Sequence, residues 1–290
     1  MLKKEQIILF FFLLCHTFVF CQNYASEDFE FIRYLIGNDM KNEALCWAER
    51  DFTLEYYKDE TKDSINFLRG WAFYSAKQLY KAQLLFDKVS ETSSFKPTSL
   101  FFSSLCLAYN NKYKQAEINL LNNKTLLEKH GELYSFQLAG YSLLQRDFVS
   151  YNRYKQNFSY SSYTLAEREK ILDSICLSLE NKKAKSPFLS ATLSAIVPGL
   201  GKIYAGSLGE GISSFITVGS FAGICAENWV KHGLSNWKTI LFGSLATVFY
   251  IGNIYGSYIS VKLLANEYNN NQNLSILYNI HIPLRNTFGL

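Results

Sequence analysis

The sequence predicts an all-α protein, in which an exported α-solenoid of helical hairpins is followed by a transmembrane helical hairpin. Between residues 23 and 181, glycine and proline are scarce, and apolar residues recur at helical rather than alternating spacing. Small side chains also recur there every 34 residues, a period typical of helical repeats. Residues 239–261 carry no charge, and a helix of that length crosses about 30 Å of hydrocarbon.

Composition limits the classes of function. The chain has 290 residues, of which 48% are apolar, and its net charge of +4 is spread along its length without a dense basic stripe. This charge pattern argues against a nucleic-acid partner. The apolar fraction is near the globular average, which argues against a transporter with many spans.

The N-terminus has the pattern of a secretory signal peptide over residues 1–22. Lys3 and Lys4 precede an apolar run from residue 7 to residue 20. Cleavage after Cys21 is the favoured interpretation, and an uncleaved anchor and lipidation at Cys21 are the alternatives. All three send the following segment out of the cytoplasm.

A small residue marks each predicted helical hairpin. Ala82, Ala116 and Ser150 lie 34 residues apart, where the two helices of a hairpin come closest. An earlier hairpin has Ala44 at the small position, a few residues out of phase. Large apolar or aromatic partners lie four residues after and nine residues before the small positions. They are Phe86, Leu120 and Tyr154 after them, and Phe73, Leu107 and Tyr141 before them.

The second hairpin, within residues 23–181, resembles the tetratricopeptide repeat family. Its Gly70, Phe73, Ala82 and Phe86 fall on the glycine, tyrosine, alanine and phenylalanine positions of that family, and Pro97 ends the repeat. The other copies are degenerate, since Ser104 and Leu138 replace the glycine and the first signature tryptophan is missing. An irregular helical bundle is the alternative.

The resemblance implies a partner-binding groove on the concave face of stacked hairpins. Each hairpin in such an array buries its faces only against its neighbours, and the first helix of each pair lines the concave side. Each aromatic residue there, taken singly, is expected to be packing. As a set they predict a groove for an extended or helical peptide. The predicted groove residues are Phe67, Trp71, Tyr74, Phe101, Leu105 and Tyr109.

No pattern in the sequence predicts an enzyme. His130 stands alone in the repeat segment, and the chain has no phosphate-binding glycine loop, H-E-x-x-H motif or metal-spaced cluster. We therefore expect no catalytic residue, metal, cofactor or small-molecule substrate.

A basic linker, residues 182–187, leads into a glycine-rich membrane domain, residues 188–264. Positive charge normally marks the cytoplasmic side of a membrane, which conflicts with export of the preceding segment. A proline and two glycines between residues 198 and 201 predict a half-helix or interfacial helix rather than a full span over 187–203. Two spans are predicted at residues 211–230 and 239–261.

The start of this domain resembles small two-span bacterial membrane domains whose signature is P-G-x-G-x-x-Y-x-G. The resemblance covers about 75 residues and implies a membrane location but no activity, because that family is itself largely uncharacterised. The matching residues are Pro198, Gly199, Gly201, Tyr204 and Gly206.

Each predicted span carries one G-x-x-x-G pair, Gly219/Gly223 in the first and Gly252/Gly256 in the second. Small residues four apart allow close helix approach in lipid, so these pairs predict a packed hairpin. Asn253 is positioned to form a hydrogen bond across to the first span. The tail, residues 265–290, is polar with one short apolar piece that is expected to pair as a strand or to stay loose.

The predicted function is a membrane-anchored scaffold in which the repeats bind a protein or peptide partner at the cell envelope. The predicted location is a bacterial inner membrane, with the repeats on the periplasmic side, and the lipid bilayer is the second partner. An accessory subunit of a membrane transport or protein-insertion machine is the alternative.

Overall fold

A computed structural model of the protein describes residues 24–50 and 58–289. Of these residues 80% are helical, and none of them lies in a strand. The prediction of an all-α protein is therefore confirmed. The predicted signal peptide, residues 1–22, lies outside the described residues.

The described chain forms two compact units. The first contains the helices up to Glu180 together with the chain from Ile276 onward, and the second runs from Asn181 to Ser275. Ten α-helices and one short 3₁₀ helix (Glu128–His130) precede Asn181 in the described residues. The α-helices are α1 (Tyr24–Gly37), α2 (Lys41–Ala48), α3 (Asp59–Ser75), α4 (Leu79–Asp87), α5 (Lys96–Tyr109), α6 (Tyr113–Asn122), α7 (Lys124–Leu127), α8 (Gly131–Leu144), α9 (Phe148–Lys155) and α10 (Ala166–Glu180).

One turn conformation recurs between the two helices of successive pairs. In each turn, a residue with φ between 60° and 64° ends the first helix. After α3, for example, Lys77 donates its N–H to Tyr74 O at 3.0 Å, and Gln78 donates to Phe73 O at 2.9 Å. This pair of bonds satisfies carbonyl groups that the helix end leaves without a partner, as in a Schellman motif. The residues with positive φ in these four turns are Asp39, Lys77, Asn111 and Arg146.

Small residues sit where the paired helices touch. Ala44, Ala82 and Ala116 each lie five residues after a turn residue and are fully buried. Gly70 lies against the ring of Phe86, because a Cβ added to Gly70 would be 2.8 Å from Cε1 of Phe86. A larger residue at Gly70 would therefore force α3 and α4 apart.

The fourth pair, α8 and α9, is displaced by one residue from the predicted phase. Its turn at Arg146 comes 35 residues after the turn at Asn111, so the position equivalent to Ala116 is Tyr151 rather than Ser150. Tyr151 is buried, and its hydroxyl donates to Asp173 Oδ1 of α10 at 2.5 Å. A large residue thus occupies the position that is small in the earlier pairs, and the Tyr151 hydroxyl is hydrogen-bonded to α10.

The second unit begins with two short helices that a break separates. Helix α11 (Pro187–Ile196) ends at Val197, which is extended, and Gly199 at φ 87° precedes α12 (Leu200–Ala205). Ten residues of helix span only about 15 Å, half the thickness of a bilayer core. Residues 187–203 therefore do not form one continuous span, as the proline and glycines predict.

Two long helices complete the second unit, α13 (Leu208–His232) and the first part of α14 (Trp237–Phe288). Both are long and apolar enough to cross a membrane, and only 11% of the apolar window of each is buried within the structure. The prediction of two apolar helices of spanning length is confirmed. The last part of α14, residues 276–288, belongs to the first unit.

Candidate partner-binding groove and the membrane unit

The first unit has a groove that is occupied by the chain's own C-terminal segment (residues 276–288). The surface of α3, α5 and α8 that contacts this segment is called the repeat groove, and these are the first helices of the second, third and fourth pairs. On the segment, Ile276, Ile280 and Leu284 lie four residues apart and are fully buried. The segment therefore packs as an amphipathic helix with one apolar stripe.

Gly140 and Gln137 of α8 fix the centre of the C-terminal segment. A Cβ added to Gly140 would lie 2.4 Å from Cγ2 of Ile280, so only glycine leaves room for this isoleucine. Gln137 Nε2 donates to Ile280 O at 2.6 Å, and both residues are fully buried. Pro283 lies within the same stretch of helix and has no N–H to donate to the preceding turn. The groove thus holds both a side chain and a backbone carbonyl of the segment.

His281 lies between two tyrosines of the groove. Its ring centroid is 5.8 Å from that of Tyr74 and 6.3 Å from that of Tyr109, with both rings edge-on. Burial, with a smaller contribution from the nearby cations Arg285 and Lys77, lowers the pKa of His281 to about 4. The imidazole is therefore neutral at pH 7, and an apolar or neutral side chain suits this position of the groove.

The two ends of the C-terminal segment are also held. At its start, Arg168 Nη1 donates to Asn279 Oδ1 at 3.0 Å. At its end, the ring of Phe288 lies 5.8 Å from Phe101 and 5.2 Å from His130, measured between centroids. Contacts thus run from residue 276 to residue 288.

Four of the six predicted groove residues lie at the C-terminal segment, and the other two are buried between helices. Tyr74, Phe101 and Tyr109 contact the C-terminal segment through their rings. Trp71 lines a cavity of about 190 Å³ together with His281 and Arg285 of the segment. The other two residues are buried in helix packing: Phe67 stacks on Phe95 with centroids 4.8 Å apart, and Leu105 is fully buried.

Sequence reasoning missed Gln137, Gly140, Arg168 and the C-terminal segment itself. The segment was expected to form a strand or to stay loose, but it is helical as far as Phe288. The four-residue spacing of Ile276, Ile280 and Leu284 is the signal that indicates a helix.

Lowering the pH from 7.5 to 5 is expected to loosen the C-terminal segment. The docked His281 has a pKa of about 4 against an ordinary value of 6.5, so the free segment binds the proton more tightly. Docking is then fully favourable above pH 6.5 and weakens as the pH falls toward 4. The loss at pH 5 is at most about 2 kcal/mol, and less because the ring is partly exposed. The spectrum of a spin label at exposed Asn286 measures the mobility of the segment.

The control for this pH dependence is His281→Gln, which stays neutral at both pH values. Its label should show no increase in mobility between pH 7.5 and pH 5. An equal increase in the variant would assign the effect to other groups around the ring, which include Asp39, Lys41, Lys77 and Arg285.

In the second unit, the signature glycines permit close backbone contacts. A Cβ on Gly199 would lie 2.0 Å from Gly211 O of α13, and one on Gly201 would lie 1.9 Å from Ser190 O of α11. Gly206 ends α12 with φ 120°. These three positions therefore reject any larger residue, and Pro198 directly precedes the left-handed Gly199.

Tyr204 of the signature ties α12 to the basic linker. Its hydroxyl oxygen accepts from Ser186 N at 3.2 Å, and Lys185 Nζ lies 5.8 Å from its ring centroid. Lys185 also donates to Ala205 O at 3.0 Å, at the end of α12. The signature thus fixes the entry of the chain into the second unit.

Buried hydroxyls join α11 to α14. Ser190 Oγ lies 2.8 Å from Gly201 O and 2.9 Å from Ser257 O, and Ser194 Oγ lies 2.6 Å from Ser257 Oγ. Asn253 Nδ2 lies 3.5 Å from Ser194 O. Asn253 was expected to bond to the first span, but it reaches α11 instead.

The G-x-x-x-G pairs do not pack α13 against α14. A Cβ added to Gly219, Gly223 or Gly252 would meet no atom within 4 Å, and one on Gly256 would meet only Lys202, at 3.5 Å. The prediction of glycine-mediated packing between the spans is therefore not met. The two helices meet instead at the rings of Phe221 and Phe249, whose centroids are 5.2 Å apart.

Gly243→Leu is expected to destabilise the second unit more than Gly223→Leu does. A Cβ on Gly243 would lie 3.1 Å from Cys225 Sγ of α13, whereas Gly223 faces open space. Overpacking of this kind costs about 1–3 kcal/mol. Thermal unfolding in detergent measures the difference, and equal unfolding temperatures for the two variants would contradict the packing described here.

The chain was compared with known proteins by sequence and by structure. No protein-family model, curated protein or solved structure matches it.

Proposed function

We propose that the protein is a membrane-anchored scaffold whose repeat groove binds an amphipathic helix of a partner protein. In this proposal the helix pairs of the first unit are a tetratricopeptide-like α-solenoid, exported by the predicted signal peptide. Helices α13 and α14 anchor it in a bacterial inner membrane, with the repeats on the periplasmic side. The scaffold would serve assembly at the cell envelope.

The C-terminal segment in the repeat groove is the observation that carries the proposal. It is an amphipathic helix with buried apolar residues at 276, 280 and 284, and the first helices of three pairs contact it. Recognition of a helix in a groove works through anchors at this spacing. A groove built to hold such a helix from its own chain has the shape and chemistry to hold one from a partner.

The position of the C-terminal segment also supports the two-span topology. Because it packs on the repeat helices, an even number of crossings must separate Glu180 from Ile276. Helices α13 and α14 supply two crossings, and α11 is too short to add a third. The large apolar side chains exposed on α13 and α14, such as Phe215, Ile251 and Tyr255, suit contact with lipid.

Photo-crosslinking in intact membranes tests the binding function. A photoreactive amino acid replaces Tyr109 in the full-length protein, and mass spectrometry identifies the peptides that become attached. We expect adducts with the C-terminal segment and with a partner helix that carries large apolar residues four positions apart. A probe at Tyr80, which is exposed on α4, is the matched control and should give neither adduct.

Two changes make this experiment decisive. Gly140→Leu fills the space that Ile280 occupies, so it should abolish both adducts. Ile280→Asp should release the segment and increase the partner adduct. Two results would refute a partner-binding role of the groove. One is a partner adduct that survives Gly140→Leu, and the other is the lack of a partner adduct in both the wild type and Ile280→Asp.

The transport or insertion subunit is the second candidate, and a polar groove between α13 and α14 favours it. The two functions differ in what the spans must do. Replacing α13 and the spanning part of α14 with an unrelated two-span hairpin should preserve partner crosslinking in a scaffold. A transport or insertion subunit would lose activity after this exchange.

A further inference from the structure

The second unit contains a groove between α13 and α14 that carries several polar side chains beside the apolar Val218, Val248 and Phe249. Its volume is about 350 Å³, and residues of α12, α13 and α14 line it. It is called the polar groove below. The polar groups and the glycine that line it are Lys202, Ser213, Ser214, Thr217, Asn253 and Gly252.

Lys202 supplies the positive charge of the polar groove. Its Nζ lies 3.9 Å from the position that a Cβ on Gly256 would occupy, which places the ammonium group beside α14. Among the described residues, no acidic side chain or hydrogen-bond acceptor pairs with Lys202. A cation within an apolar helical unit is costly without a partner, and such residues commonly mark binding sites.

The remaining polar groups supply hydrogen bonds around this charge. The hydroxyls of Ser213, Ser214 and Thr217 lie on one face of α13, at spacing that suits a single ligand. Asn253 is 5% exposed, and its Oδ1 is buried with no hydrogen-bond partner among the described residues. An unpaired buried amide oxygen is unfavourable, so this atom calls for a donor.

The polar groove lies near one end of the two spans. On α13 the lining begins at Ser213, five residues after the start of the helix, and on α14 its nearest lining residue to this end is Asn253, eight residues before the end of the predicted span at residue 261. Five to eight residues of helix correspond to about 7.5–12 Å, so the polar groove extends inward from the level of the lipid head groups and glycerol. Lys185 and Lys262 flank this end and make it more positive.

We propose that the polar groove binds the phosphate of a phospholipid head group that also carries a hydrogen-bond donor. Lys202 pairs with a phosphate oxygen, and the hydroxyls of Ser214 and Thr217 donate to the same group. Asn253 Oδ1 accepts from a head-group hydroxyl, as in phosphatidylglycerol, or from a head-group ammonium. The proposal rests on the membrane location proposed above.

Native mass spectrometry of the full-length protein in detergent tests the site with three probes. They are phosphatidylglycerol, phosphatidylcholine of the same acyl chains, and inorganic phosphate. We expect retention of one phosphatidylglycerol in preference to phosphatidylcholine, whose head group has no donor. Lys202→Met should weaken retention about fivefold, the effect of one lysine near a lipid head group. Lys238→Met, at the opposite end of the hairpin, should leave it unchanged.

Further variants keep the proposal falsifiable if Lys202→Met does not fold. Lys202→Arg keeps the charge and should retain the lipid, whereas Thr217→Val should weaken retention without changing charge. Equal retention of both lipids, or unchanged retention in Thr217→Val and Lys202→Met, would overturn the site. Displacement by millimolar inorganic phosphate would overturn the assignment to lipid. Extraction of the protein from membranes by alkaline carbonate would instead refute the membrane location itself.

Discussion

Trp71→Ala is expected to destabilise the first unit by about 3–5 kcal/mol, the range for removing a buried tryptophan. The indole is only 5% exposed and stacks on Tyr74, with ring centroids 5.4 Å apart. Its edge also meets Phe102 at 5.0 Å. The substitution therefore leaves a cavity between α3 and α5 rather than an empty place on an open surface. Chemical denaturation of the full-length protein, followed by circular dichroism, measures the loss.

Tyr80→Ala is the matched control for this substitution. Tyr80 is also an aromatic residue of the second helix pair, but it is 63% exposed on α4. Its removal should change the unfolding free energy by less than about 0.5 kcal/mol. If wild type and Trp71→Ala gave equal unfolding curves, the tryptophan would be a surface contact of the groove and not part of the core.

The helical hairpins were predictable because local rules agree with the tertiary packing. Apolar residues recur at helical spacing, and Ala82 and Ala116 mark the points where paired helices touch. The predicted 34-residue phase failed in the fourth pair, where one extra residue before the turn at Arg146 places Tyr151 at the contact. A fixed 34-residue step cannot detect such an insertion, because Ser150 next to it is also small.

Local sequence gives conflicting signals for the C-terminal segment, because the four-residue spacing of Ile276, Ile280 and Leu284 indicates a helix. Its apolar residues partly alternate, and Pro283 argues against a helix. The segment is nevertheless helical because the repeat groove buries Ile276, Ile280 and Leu284 on one side. Most helical stability in proteins comes from such packing rather than from intrinsic propensity. Only the tertiary structure reveals Gly140, whose missing side chain admits Ile280.

Some glycines of the second unit had predictable roles, and others did not. The break near Pro198 was predictable because proline and left-handed glycine act on the local backbone. The role of Gly223 and Gly252 was not predictable, because a G-x-x-x-G pattern shows only that one face of a helix lacks large side chains. Which faces meet depends on larger residues such as Phe221 and Phe249.

Ile280→Asp is expected to release the C-terminal segment from the repeat groove. The side chain is fully buried against Gly140, so a carboxylate there would lose its contact with water. The cost of burying an unpaired charge exceeds the several kcal/mol that such a segment can gain from its apolar contacts. Hydrogen exchange of residues 276–288 in the full-length protein should therefore approach that of an unfolded peptide. Leu274→Asp makes the same change in charge on an exposed position of α14 and should preserve protection. Retained protection in Ile280→Asp would show that the segment does not depend on this contact, and the groove would then lose its central anchor.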